Sequence, residues 1–114
     1  SIVSAMAYAA LRNAVGDRQY VAARLGQLSD ETRIRIFWIL CHREECVQEI
    51  AALMEMSSAA ISHHLRRLRA CALIISRREG KEVYYRAADT KEARFLHQMI
   101  EDLLDITCPQ ERRV

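Results

Sequence analysis

Turn-forming residues are scarce: the 114 residues include one proline and three glycines. That scarcity argues against sandwiches, barrels and disordered tails, and favours helices joined by short turns. No stretch approaches the roughly 18 uninterrupted apolar residues that a membrane span needs. The apolar run from Ile2 to Leu11 has no basic residue ahead of it and is soon followed by Arg12, so it reads as a packing helix and not as a signal peptide. Without an export signal, the four cysteines are expected as reduced thiols in a cytoplasm. Cys41, Cys46, Cys71 and Cys108 contain no C-x-x-C pair, which argues against a closed structural zinc site. No glycine-rich phosphate loop or nucleophile–base–orienter set occurs either, so an enzyme is not expected.

What the chain does have is uneven charge. Its net charge is only +2, yet the segment from Ser57 to Arg86 holds seven basic residues against two acids. A basic block on an otherwise acidic domain of this length points to a polyanion bound through one face.

Periodicity orders the elements. Helices are expected from about Ile2 to Val15, ending near Gly16-Asp17, and from about Arg18 to Leu25, stopping at Gly26. Ser29-Asp30-Glu31 reads as a third helix start, with a capping serine and acids in the first turn. Ile34, Phe37, Trp38 and Cys41 follow at i, i+3, i+4, i+7 as its buried stripe, widened by Ile36, Ile39 and Leu40. After an acidic turn, Arg43-Glu44-Glu45, a fourth helix carries Val47, Ile50, Ala51 and Met54. A tight break at Glu55-Met56-Ser57-Ser58 leads into a fifth, from Ser58 to about Cys71.

That fifth helix has two faces. Ile61, Leu65 and Leu68 are spaced to meet the core, whereas Ala59, Ser62, His63 and Arg66 form the opposite stripe, flanked by Arg67. Two helices joined by a few residues, the second exposing such a stripe, make a helix-turn-helix. Short side chains there let a backbone approach a major groove about 12 Å wide, where His and Arg reach bases or phosphates. Then the period changes: Leu73-Ile74-Ile75 and Val83-Tyr84-Tyr85 flank Arg77-Arg78-Glu79-Gly80-Lys81-Glu82, a β-hairpin with a basic tip. A last helix runs from Asp89 to about Ile106, with Leu96, Met99, Ile100 and Leu103 as its stripe, until Pro109. His97 is expected on its surface. The fold class is thus mainly α with a small β-hairpin wing, one winged helix-turn-helix domain over residues 1–114. Within it, residues 46–71 form the helix-turn-helix and 73–87 the wing.

The runs Leu28-Ser29-Asp30-Glu31-Thr32-Arg33-Ile34-Arg35-Ile36, Cys46-Val47-Gln48-Glu49-Ile50-Ala51, Ser62-His63-His64-Leu65-Arg66-Arg67-Leu68-Arg69 and Arg77-Arg78-Glu79-Gly80-Lys81-Glu82-Val83-Tyr84-Tyr85, in this order, resemble the ArsR/SmtB repressors. The resemblance implies a homodimer joined by terminal helices, here residues 1–26 and 89–108, that binds double-stranded operator DNA and represses transcription. It implies release when a metal, metalloid or oxidant reaches a sensor site. DNA-reading positions fall on Ser57, Ser58, Ala59, Ser62 and His63. With the basic residues they give an expected DNA face of Ser57, Ser58, Ser62, His63, Arg66, Arg67, Arg77, Arg78 and Lys81. Many members have Gln-Ser where this chain has Ser58-Ala59, which removes an amide able to pair with adenine.

The resemblance also locates sensor positions. Zinc sensors of the family carry Asp-x-His and then His-x-x-Glu or His-x-x-His on the last helix; the matching positions are Asp89, Lys91, Asp102 and Asp105. Both imidazoles are missing and a lysine cation replaces one, so no tight zinc site is expected there. Thiolate sensors carry Cys-Val-Cys-Asp-Leu, of which Cys46 keeps the first cysteine and Gln48 replaces the second. A third branch senses oxidants or reactive sulfur with one cysteine in the third helix and one at the end of the last, a pair that Cys41 and Cys108 resemble loosely. The sensing residues expected are therefore Cys46, Cys108 and Cys41, responding to a soft metal or metalloid ion held by cysteine. A redox or reactive-sulfur response, or a regulator with no effector, is the alternative. Cys71 is expected to pack beneath the hairpin.

Overall fold

The structure, a computed structural model, describes residues 1–14 and 18–105. Gly16-Asp17, Ile106, Cys108 and Pro109, on which some of the expectations above fall, lie outside them. In chain order the elements are α1 (Ile2–Ala14), α2 (Arg18–Gln27), α3 (Glu31–His42), β1 (Glu45–Cys46), α4 (Val47–Met54), α5 (Ser58–Ala70), β2 (Ile74–Glu79), β3 (Glu82–Ala87) and α6 (Lys91–Leu104). No helix among the described residues is long and apolar enough to cross a membrane.

Helix starts follow side-chain capping, which satisfies amide donors that have no partner within the helix. Asp30, and not Ser29, caps α3: its carboxylate accepts from the Arg33 amide at 3.0 Å, while the Ser29 hydroxyl donates to the Gly26 carbonyl at 2.7 Å. That backbone bond holds the Asp30 carboxyl below its ordinary value. Ser57 caps α5 by accepting from the Ala60 amide, and Thr90 caps α6 by accepting from the Ala93 amide. α2 does not stop at Gly26 but continues to Gln27.

The ends of α4 and α5 share another device. The Met56 amide returns to the Ala51 carbonyl and the Glu55 amide to Ala52; likewise the Leu73 amide returns to Leu68 and the Ala72 amide to Arg69. Each such pair of bonds turns the chain sharply and needs a left-handed residue just past the helix. Glu55 (φ 54°) and Ala72 (φ 60°) fill that position, which glycine usually occupies.

The core gathers around α3. Ile36, Phe37 and Leu40 are its buried residues, whereas Ile34, Trp38 and Cys41 are only half-buried and pack at the edge. The expected stripe is therefore displaced, because α3 meets α5 on one side and β3 and α6 on others. From α5, Ile61, Leu65 and Leu68 enter the core as their spacing requires, joined by Ile50, Ala51 and Met54 of α4 and by Leu96 and Ile100 of α6. Burying each such leucine, isoleucine or methionine side chain stabilises the fold by roughly 1.5–3 kcal/mol.

The hairpin is the expected wing, closed between Glu79 and Glu82 by Gly80-Lys81, with Gly80 at φ 61°. A two-residue hairpin loop requires a positive φ, which glycine adopts without steric cost. The sheet has a third strand, however. The segment expected as an acidic turn instead sends Glu45 and Cys46 to pair with Tyr85 and Tyr84 at the free edge of β3, giving the antiparallel order β1-β3-β2. Glu45 is buried there and is held by Arg43 at 2.5 Å.

Candidate nucleic-acid interface

The second helix of the helix-turn-helix, α5, presents the face that its sequence promised. Ser57, Ser58, Ala59, His63, Arg66 and Arg67 are exposed and Ser62 is half-buried, while the opposite side of the same helix is sealed into the core. Because Ser57 spends its hydroxyl on the Ala60 amide, its role is to start the helix, and Ser58 is the first side chain past the cap.

His64 sits beside this stripe, a neighbour that spacing alone does not mark as part of any site. Its Nδ1 accepts from the Arg33 guanidinium at 3.4 Å, and the same arginine donates its Nε to the Gln27 carbonyl at 2.9 Å. Arg33, with its side chain only 12% exposed, thus ties the end of α2 and the start of α3 to α5. Burial pushes the His64 imidazole below its ordinary value, opposed by Asp30 and reinforced by Arg33.

In the wing, Arg78 and Lys81 are exposed. Arg77 is differently placed: its guanidinium binds Glu44 at 2.5 Å and Glu79 at 2.8 Å and lies 4.9 Å from the centre of the Tyr84 ring. These hydrogen bonds raise the Arg77 pKa and lower that of Glu44. Arg77 therefore braces the wing against the turn that follows α3, and any phosphate would compete with two carboxylates for it.

The thiols are dispersed. Cys46 is buried opposite Tyr84, Cys41 is half-buried near the end of α3, and Cys71 is buried with its thiol against the Arg67 and Leu68 carbonyls. Burial pushes the Cys71 thiol up. None of these three is in a disulfide. Of the family's zinc positions, Asp89 pairs with Arg94, Asp102 accepts from Gln98 at 2.9 Å, and Asp105 caps the end of α6. Among the described residues, the group of three potential metal ligands that does come together is His42, His97 and Glu101. His97 is accordingly not a plain surface residue: it contacts the His42 ring and pairs with Glu101. The i, i+4 spacing of His97 and Glu101 was the available signal.

Residues 30–76 match the model of the bacterial regulatory protein, arsR family. The chain is 42% identical over 84 residues to the cadmium resistance transcriptional regulatory protein CadC homolog of Staphylococcus aureus, covering 68% of this chain and 69% of that one. It is also 42% identical over 71 residues to the transcriptional repressor SmtB homolog of Synechocystis, covering 62% of this chain but spanning only 54% of that protein. Among solved structures, a homodimeric winged helix-turn-helix DNA-binding domain from Mycobacterium bovis superposes with a TM-score of 0.70 at 29% identity, over 82% of this chain and 84% of the other. A helix-turn-helix with a wing, the polar and basic stripe of α5 exposed and the sequence matching these relatives, places the chain in the ArsR family of bacterial transcriptional regulators.

Proposed function

We propose that the chain is a DNA-binding repressor that acts in the cytoplasm as a homodimer and leaves its operator when a soft metal or metalloid ion binds. The observation that carries the reading is the α5 stripe: small, polar and basic side chains stand exposed on a helix whose other face is fixed in the core. On this reading Ser58, Ser62 and His63 approach base edges, and Arg66, Arg67, Arg78 and Lys81 engage phosphates. Arg77 reaches a phosphate only by leaving its carboxylates. The dimer forms through residues 1–26 and α6, setting two α5 helices in successive major grooves about 34 Å apart.

The effector class follows the cadmium resistance regulator that the chain resembles. Cys46 and Cys41, with Cys108 beyond the described residues, are the sulfur ligands proposed. The described thiols do not by themselves make a complete thiolate site, since no group of three potential ligands among the described residues contains a cysteine. Fluorescence anisotropy on the DNA upstream of the chain's own gene tests the DNA face. His63→Ala and Arg66→Ala are each expected to cost about 1–3 kcal/mol in affinity while the domain stays folded. Unchanged affinity in both variants contradicts the face. Cadmium is expected to weaken wild-type binding, and a Cys46→Ser, Cys108→Ser double variant to resist it.

A further inference from the structure

We propose that His42, His97 and Glu101 form, within one chain, a binding site for a divalent transition metal of borderline hardness, of the zinc, cobalt and nickel class. One ligand atom from each lies within 4.8 Å of the others, and all three residues are at least half-buried. The site joins the last residue of α3 to the middle of α6.

Three features separate it from an incidental ion pair. An i, i+4 contact accounts for His97 and Glu101, whose Nε2 and Oε1 are 2.5 Å apart, but not for His42. The His42 Nδ1 stands 2.8 Å from the Trp38 carbonyl oxygen. A carbonyl can only accept, so Nδ1 carries the proton and Nε2 carries the lone pair. That is how metal-binding imidazoles are generally oriented, the far nitrogen donating to a backbone or carboxylate oxygen. Ring packing reinforces it: Trp38 lies 4.2 Å from His42 between centroids, and His42 meets His97 edge-on at 4.8 Å. Finally, Glu101 is only 4% exposed. A carboxylate that deep is held by a cation or a proton; His97 provides that contact in the metal-free chain, and a metal held jointly with two imidazoles takes over the same place.

The donor set selects the class. Two nitrogens and one carboxylate oxygen suit zinc, cobalt or nickel; they are too nitrogen-rich for magnesium or calcium and lack the sulfur that cadmium, arsenite or copper(I) prefers. Bonds of about 2.0–2.1 Å in a tetrahedral site put ligand atoms about 3.3 Å apart. Closing from 4.8 Å takes side-chain rotation of Glu101 and His97, and a water completes the shell. Of the arginines lining the cleft beside His42 and His97, Arg43 is paired with Glu45 and Arg94 with Asp89, each at 2.5 Å, and Arg86 donates to the Ala87 carbonyl at 3.5 Å. The family's zinc positions on this helix, Asp102 and Asp105, are exposed, so the proposed ligands use a different face of α6. The metal would couple the helix just ahead of the helix-turn-helix to the helix of the proposed dimer, a consequence that rests on the repressor reading although the binding does not.

The test is a cobalt(II) titration of the full chain, followed by the visible ligand-field bands and the near-ultraviolet region. One cobalt per chain is expected, without a sulfur-to-cobalt charge-transfer band. His97→Gln and Glu101→Gln should each weaken binding at least about 100-fold, beyond the loss typical of second-layer partners. Asp102→Asn should leave it unchanged. Circular dichroism of the metal-free variants checks folding, and half-buried His97 carries the test if Glu101→Gln does not fold. Absence of stoichiometric cobalt, a thiolate band, or binding that survives both substitutions overturns the site. Failure of wild-type, metal-free protein to bind upstream DNA overturns the repressor reading and leaves the cobalt result standing.

Discussion

The segment from α3 to β3 and the helices that flank it use apolar residues of the same kinds but bury them very differently. On α5, Ile61, Leu65 and Leu68 are at most 1% exposed, whereas on α1 Ile2, Met6 and Leu11 are at least 67% exposed. α6 contains both behaviours: Leu96 is 3% exposed and Leu103 78%. The central segment has completed its core within one chain. The flanking helices carry an apolar surface that a single chain leaves in water, which is the signature of a surface that meets a partner. That contrast is the physical argument for the proposed dimer.

Breaking the comparison at its buried end gives the largest effect. Leu65→Ala should cost about 2–5 kcal/mol of unfolding free energy, read by denaturant titration. A loss well below about 2 kcal/mol would mean that α5 is less firmly seated than its burial says. At the exposed end, Phe95 of α6 is 65% exposed, and Phe95→Ala should weaken dimerisation by about 2 kcal/mol, read by sedimentation at micromolar concentration, while circular dichroism stays native. A wild-type chain that sediments as a monomer there contradicts the dimer outright. A smaller test concerns the joint between the helix-turn-helix and the wing. Ala72 holds a left-handed conformation that costs a residue with a Cβ about 1 kcal/mol or more, so Ala72→Gly should stabilise the fold by about 1 kcal/mol. Destabilisation would show that the loop does not hold that conformation.

The smallest effect is a pH dependence. Burial lowers the His64 pKa in the folded chain, so the unfolded chain binds the proton more readily. The contribution of His64 is therefore fully present above its ordinary value of 6.5 and is lost as pH falls below that value through the folded one. The melting temperature of the wild type should fall more steeply below about pH 6.5 than that of His64→Gln. Equal slopes would show that His64 is not a source of this dependence.

The sequence was most legible where a period and a partner face coincide. Ile61, Leu65 and Leu68 announce one side of α5, and Gly80 between two β-branched and aromatic runs announces the hairpin. β1 was not legible, because two residues have no period and the charge of Glu45 suggested solvent. The stripe of α3 was misplaced because that helix is surrounded, so its apolar residues run nearly all round and the deepest line cannot be picked from spacing. The ends of α4 and α5 lacked their usual glycine; Glu55 and Ala72 take the left-handed position through tertiary context. For the site, the exposed stripe followed from α5 alone. The approach of His42 to His97 and Glu101 did not, since His42 and His97 are 55 residues apart in the chain and their meeting depends on how α6 crosses α3.

The most direct test of the central claim is the salt dependence of binding between the metal-free chain and the duplex upstream of its gene. Repression through the α5 stripe and wing predicts that log K falls steeply and linearly with log salt, with a slope of about −0.9 for each phosphate neutralised. It also predicts a preference for that duplex over unrelated DNA of the same length. Binding that is absent, or that is indifferent to both salt and sequence, would contradict it.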